Sequence, residues 1–222
     1  KSEFLRNMSH EFRTPLHGMI NMANFGIKFS ETDERSALKV YFERIAKVTH
    51  RLTELVDGVL NISKMEDGSE EFIMAQCNFT EILDIVAMEQ QPLFQHKGVV
   101  LVYNKPDFDT AIVCHRGKII QVIANLVGNA VKFTPKDKKV TLSAKRDDTC
   151  VTISVSDEGV GIPDDELEAI FGKFVQSTRT KTGAGGTGLG LAICKGIVRG
   201  HDGKIWAENN QGEGATFTFN IP

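Results

Sequence analysis

Ser9-His10-Glu11-Phe12-Arg13-Thr14-Pro15-Leu16 sets a histidine and a carboxylate side by side, one turn ahead of a proline. Around it Leu5, Met8, Phe12, Pro15, Met19 and Met22 recur at three- and four-residue steps, which predicts a helix from Phe4 to about Phe29. With Leu5 at heptad position a and Met8 at d, His10 falls at f, the most exposed position. Glu11 then falls at g, and Thr14 shares the face of His10. Pro15 removes a backbone hydrogen bond and should bend the helix just below the histidine. A lone exposed helical histidine is ordinarily a surface residue. A zinc-protease reading fails, because Thr14 stands where HExxH needs its second histidine. Whether His10 is a nucleophile therefore depends on what lies downstream.

A polar break at Ser30-Glu31-Thr32-Asp33-Glu34, with Thr32 or Asp33 as N-cap, leads to a second seam. Leu38, Tyr41, Ile45, Val48, Leu52, Leu55, Val59 and Ile62 keep a/d spacing throughout. Two such helices form an antiparallel hairpin. One hairpin cannot bury both seams and their flanks, so a dimer making a four-helix bundle is expected. The pattern dissolves between Lys64 and Gln76 into a linker rich in acidic residues and glycine. That gives two domains, residues 1–68 and 69–222.

The 222 residues, 41% hydrophobic and 25% charged, suit one large or two small globular domains. A net charge of -3 gives no footing for nucleic acid or an anionic membrane. Cys77, Cys114, Cys150 and Cys194 lie far apart, with no CxxC pair and no histidine cluster. This argues against a zinc centre or a disulfide framework and suits a reducing, cytoplasmic compartment. No apolar run approaches the roughly 20 residues of a bilayer span. Membrane attachment is expected only through segments outside this sequence, which starts at Lys1 in mid-pattern as a piece of a longer chain would.

Beyond the linker the pattern alternates. Helices are expected at Thr80–Gln95, Arg116–Lys132 and Leu189–Arg199. Strands are expected at Val99–Tyr103, Ala111–Cys114, Val140–Lys145, Val151–Ser156, Lys204–Ala207 and Ala215–Ile221. This order predicts an α+β sandwich, a mixed sheet with helices on one face. Three stretches carry chemistry. Asn125 and Asn129 share one helical stripe ahead of Lys132; they are either satisfied core amides or ligands for a hard cation such as Mg²⁺. Asp157-Glu158-Gly159-Val160-Gly161-Ile162-Pro163 puts a carboxylate at a strand end before two glycines. It reads as a plain turn or as one that a planar ligand approaches closely. Gly183 to Ala192 holds the glycine density of a phosphate-binding loop before a helix. Gly183, Gly185 and Gly188 satisfy GxGxxG, but a polar stretch precedes them where a dinucleotide site needs a strand. The Walker pattern also fails, at Leu191-Ala192.

In order, these stretches resemble the catalytic core of a sensor histidine kinase over essentially the whole chain. Phe4 to Leu16 looks like the H-box, Asn125 to Lys132 the N-box, and Asp157 to Pro163 the first glycine box. Phe171-Gly172-Lys173-Phe174-Val175-Gln176 is similar to the F-box, and Gly186 to Leu191 to the second glycine box. The Gly212-Glu213-Gly214-Ala215-Thr216-Phe217 ending also matches.

The resemblance implies an ATP- and Mg²⁺-dependent autokinase, a homodimer that hands its phosphoryl group to a response-regulator receiver domain. His10 would be the acceptor, Glu11 its base, and Thr14 the residue that orients water in regulator dephosphorylation. Asn129 would hold Mg²⁺ and Asn125 would sit beside the phosphates. Lys132 and Lys181 would meet phosphate. Phe133 would flank adenine and Asp157 would bind its amino group, with Gly159, Gly161 and Phe174 around them. Gly186, Thr187, Gly188, Leu189 and Gly190 would form the lid. Two departures are Cys114-His115 where the family usually has an aspartate, and His201-Asp202-Gly203 for the usual His-Gly-Gly. His17-Gly18-Met19-Ile20 looks like hybrid kinases with their own receiver domain. The alternative is a silent kinase-like module that dimerises with or sequesters another kinase. A DNA- or chaperone-type ATPase of the same superfamily is disfavoured, because Asn125 replaces its water-activating carboxylate.

Overall fold

The computed structural model describes residues 2–30, 35–108, 110–179 and 186–222. The chain divides into two compact units, Lys1–Asn61 and Ile62–Pro222. The first is helical. Helix α1 spans Ser2–Ser30, and α2 spans Arg35–Glu66, with its last turn in the second unit. The expected N-cap, Thr32 or Asp33, lies outside the described residues. α1 is assigned as one helix across Pro15, whose missing N–H deprives the Glu11 carbonyl of its usual donor.

The two helices meet antiparallel. Tyr41 stacks on Phe25 and Phe29 at centroid distances of 6.0 and 5.7 Å, while Thr49 Oγ1 lies 3.2 Å from Met19 Sδ. The seam from Leu38 to Val59 is half-buried or buried, as its spacing predicts. Leu16, Ile20, Phe25 and Ile27 of α1 and Val40, Phe42, Val56 and Leu60 of α2 stay exposed, so one hairpin does leave apolar surface uncovered.

The second unit is an α+β sandwich. Its helices are α3 (Phe79–Lys97), α4 (Arg116–Phe133) and α5 (Gly190–Arg199). Its strands are β1 (Ala75–Asn78), β2 (Val100–Asn104), β3 (Ala111–Cys114), β4 (Lys139–Arg146), β5 (Val151–Asp157), β6 (Lys204–Asn209) and β7 (Ala215–Ile221). Five form one sheet in the order β2-β4-β5-β7-β6, with β2 parallel to β4 and every other pairing antiparallel. Alternation decides the faces. Val151, Ile153 and Val155 of β5 and Phe217, Phe219 and Ile221 of β7 are buried. The opposite face carries Thr152, Ser154, Ser156, Thr216, Thr218 and Asn220, with Ser154 Oγ 3.1 Å from Thr218 Oγ1. Period two also puts Asp157 on the apolar face, one step past Val155.

Two expectations change. The stretch read as a linker over 64–76 includes the end of α2 and the start of β1, which pairs antiparallel with β3 in a separate two-stranded sheet. Ala75-Gln76-Cys77-Asn78 has no strand-forming pattern of its own; pairing with β3 makes it a strand. Between them Glu70 pairs with Lys118, and Phe72 lies edge-on to His201 at 5.2 Å and to His115 at 6.3 Å. The second change is at the motif departures. The N–H of His115 donates to His201 Nε2 at 3.0 Å, and the ring of His115 caps α4 through Lys118 N. Asp202 takes φ 55°, a left-handed position that aspartate tolerates and where the family motif has glycine.

Candidate active site

α4 is fastened at both ends. His115 caps its start, Thr134 Oγ1 donates to Ala130 O at 2.7 Å near its end, and Lys97 Nζ donates to Lys132 O at 2.5 Å. Ile119, Ile123, Leu126, Val127 and Ala130 are buried on one side. Asn125, Asn129 and Lys132, spaced four and three apart, share a half-buried stripe. Lys132 Nζ sits 4.8 Å from the centroid of the Phe133 ring.

The second glycine segment runs along that stripe. A Cβ on Gly186 would stand 3.0 Å from Lys132 Nζ, and one on Gly190 would stand 3.4 Å from Asn125 Oδ1. Gly188 has φ +68°, and a Cβ there would lie 2.7 Å from Phe174 C. Phe174 N donates to Gly188 O at 2.8 Å, and Gln176 Nε2 donates to Gly186 O at 2.8 Å. Phe174 itself holds φ 61°, a strained conformation for a bulky side chain. Thr187 Oγ1 accepts from Leu189 N at 3.4 Å, and Leu189 is buried as the anchor of the segment. Among the described residues no side chain caps α5, which leaves its first N–H groups suited to an anion.

Asp157 and the first glycine turn lie at the C-terminal end of α4, next to Lys132. Asp157 Oδ1 accepts from Gly159 N at 2.9 Å and Ala215 N at 3.3 Å; among these bonds its Oδ2 takes none. Burial raises the Asp157 pKa above the usual carboxylate range, and the two N–H donors oppose that rise. Gly159 presses on α4: a Cβ there would lie 2.8 Å from Phe133 O and 2.7 Å from Asp157 Oδ1. Gly161 takes φ +67°. An open cleft of about 580 Å³ lies beside this turn, lined by Gly159, Gly161, Glu158, Arg179, Asn209 and Glu213 among others.

The site residues expected from the sequence therefore gather in three groups. Asn125, Lys132 and Phe174 line the segment Gly186, Thr187, Gly188, Leu189 and Gly190, which leads into α5. Asp157, Gly159, Gly161 and Phe133 gather at the C-terminal end of α4, and Asn129 lies on the stripe between Asn125 and Lys132. His10, Glu11 and Thr14 lie on α1 in the helical unit. His10 and Thr14 are exposed, as heptad position f requires, and Thr14 Oγ1 donates to His10 O at 3.2 Å. Lys181 lies outside the described residues. Sequence reasoning quoted Gln176 within the F-box without a role and missed Arg179, Asn209 and Asn210; these four hold the two glycine turns. Nothing in their spacing distinguishes them from ordinary loop polars.

Two family models match this chain. Residues 1–68 match the "His Kinase A (phospho-acceptor) domain", and residues 114–222 match the "Histidine kinase-, DNA gyrase B-, and HSP90-like ATPase". The chain is 32% identical to the sensor histidine kinase WalK of Bacillus subtilis (strain 168), covering 100% of itself and 36% of that protein. The chain thus spans about a third of that relative. Among solved structures, full-length ShkA in complex with AMPPNP superposes with TM-score 0.73 at 31% identity, over 99% of this chain and 45% of that one. Histidine kinase ThkA in complex with the response regulator TrrA gives TM-score 0.77 at 27% identity, over 99% and 61%. The isolated catalytic domain of ThkA is 34% identical with TM-score 0.59, over 69% of this chain and 96% of that one. Phospho-acceptor helices followed by this ATPase fold, with matches along the whole length, place the chain in the sensor histidine kinase family.

Proposed function

We propose that this chain is an ATP-dependent protein-histidine autokinase that phosphorylates His10 and serves a response-regulator aspartate. One observation carries the reading: the second glycine segment lies along the Asn125–Lys132 stripe, with Lys132 Nζ against Gly186 and Asn125 against Gly190. A lysine, amide oxygens, backbone N–H groups and a helix start along one stripe are the equipment of a triphosphate site.

In this reading residues 1–68 are the dimerisation and phosphotransfer hairpin, and residues 69–222 bind ATP. The exposed rows on α1 and α2 would meet a second copy in a four-helix bundle. Asp157 would hold the adenine amino group through Oδ2, and Phe133 would flank the base. Lys132 and the N–H groups from Gly186 to Gly190 would neutralise the phosphates. Asn129 offers an amide oxygen suited to Mg²⁺, which would supply charge neutralisation on the phosphates. A nitrogen of His10 attacks the γ-phosphorus, the bond to the β,γ-bridging oxygen breaks, and ADP leaves. Glu11, the next residue, takes the ring proton. With Thr14 one turn away, the same face would orient water against a phosphorylated regulator.

Incubation with Mg²⁺ and γ-labelled ATP should give an acid-labile, alkali-stable label that His10→Gln abolishes. Label surviving that substitution would sink the assignment. Absence of label in a folded, ATP-binding wild-type chain would favour the silent kinase-like module.

A further inference from the structure

Asp157-to-Ile162 leaves the sheet as a turn containing two glycines, and two adjacent asparagines at the end of β6 bracket it. Asn210 Nδ2 donates to Asp157 O at 2.8 Å and to Glu213 O at 3.1 Å. These two carbonyls can only accept, which fixes the amide orientation and turns Oδ1 to Thr216 Oγ1 at 2.7 Å. The Asn210 backbone N–H donates to Gly214 O at 3.1 Å. Gly214 is needed there, since a Cβ would fall 1.8 Å from Asp157 O. Asn209 holds the other end: Oδ1 accepts from Ile162 N at 2.9 Å, and Nδ2 donates to Ile162 O at 2.7 Å and to Asp164 Oδ1 at 2.9 Å. It reproduces both hydrogen bonds that a neighbouring strand would give Ile162.

We propose that Asn209 and Asn210 are positioning residues that fix the Asp157 carboxylate for recognition of the adenine amino group, and so set purine selectivity. The inference rests on the adenine reading of Asp157. The physical argument is one of freedom. A turn with Gly159 and Gly161 has many backbone states available to it. The Asp157 carbonyl and both polar atoms of the Ile162 backbone are tied to two neighbouring side chains on a rigid strand end, so the carboxylate between them has little room to shift. Only an amide serves at either place. At 209 the residue must accept and donate to one backbone unit; at 210 it must donate to Asp157 while accepting from Thr216. An aspartate at 209 would also face Asp164 with like charge.

The test uses Asn209→Asp and Asn210→Asp in the full chain, with Asp157→Asn as reference. Affinities for non-hydrolysable ATP and GTP analogues are measured by calorimetry, and KM and kcat for ATP by labelling. Each bracket variant should lose about tenfold in ATP affinity, the effect of one well-made hydrogen bond to a peptide group. Affinity for the GTP analogue should hold, and kcat at saturating ATP should be kept. Simple destabilisation lowers the active fraction and leaves the ATP-to-GTP ratio unchanged. Equal loss for both nucleotides, or none, overturns the bracket. If Asp157→Asn itself leaves the ratio untouched, the adenine reading of Asp157 fails and the proposal with it. If Asp157→Asn collapses the ratio while folded bracket variants do not, the bracket alone is wrong. Should Asn209→Asp fail to fold, Asn209→Ser, which drops the donor to Ile162 O without adding charge, gives the same reading.

Discussion

Gly188→Ala is the sharpest perturbation of the second glycine segment. Gly188 sits at φ +68°, and an added Cβ would stand 2.7 Å from Phe174 C and 2.8 Å from Phe174 Cα. Those atoms are backbone, so no side chain can swing aside. Left-handed φ costs an L-residue roughly 1–2 kcal/mol. Losing the Phe174 N to Gly188 O bond, now 2.8 Å, adds about 1 kcal/mol. Together, ~2–3 kcal/mol would oppose the present conformation of this segment, or roughly 30- to 150-fold in affinity for an ATP analogue. Gly128→Ala is the matched control. Nothing lies within 4 Å of its Cβ position inside α4, and alanine there should stabilise the helix by about 0.5–1 kcal/mol. Calorimetric titration with a non-hydrolysable analogue and thermal melts of both variants decide the matter. Unchanged binding by a folded Gly188→Ala protein would refute a phosphate-binding role for this glycine conformation.

Asp157→Asn keeps the acceptor for Gly159 and Ala215 and removes a buried charge. Because folding raises the Asp157 pKa, native-state stability falls as pH climbs from the ordinary carboxylate range through the raised value. The variant should therefore melt higher than wild type at neutral pH, with the gap closing in acid, while ATP binding is lost. A gap that widens on acidification would contradict this. His201 has the opposite sign: burial lowers its pKa, opposed mainly by its bond to Ile197 O. Stability is complete above the ordinary imidazole range and is lost as pH falls from about 6.5 through the lowered value. Melting curves of His201→Gln between neutral and mildly acidic pH should be flatter than wild type; an unchanged slope would exclude His201 as the source. Thr14→Ala should slow regulator dephosphorylation and spare autophosphorylation, with stability moved by less than ~0.5 kcal/mol because the residue is exposed. Equal loss of both activities would count against its assigned role.

The helical seam, the main strands and the glycine segments were legible because each writes a period or a backbone demand into the sequence. Val151 to Asp157 alternates, and the exposure of His10 followed from heptad arithmetic alone. β1 was not legible, because Ala75–Asn78 is a strand only through its pairing with β3. The linker's attachment escaped for the same reason: Phe72 acquires meaning from His115 and His201, which are distant in sequence and adjacent in space. The motif departures at His115 and Asp202 looked inert singly. Folding shows one to be a helix cap bonded to His201 and the other a residue in a glycine-like conformation. Asn209 and Asn210 stayed hidden because a bracketing amide has no spacing signature.

The sheet order gives the ATP-binding unit a direction in time. β7 is the final strand in sequence yet lies between β5 and β6. During synthesis β4 and β5 can pair as a local hairpin, but β6 has no neighbour and α5 little to cover until β7 inserts. Ala215, which donates to Asp157, arrives with that same strand. A nascent chain would thus carry both helices of the hairpin well before Asp157 gained its Ala215 donor, so the surroundings of that carboxylate would be complete only after the last sheet strand is home.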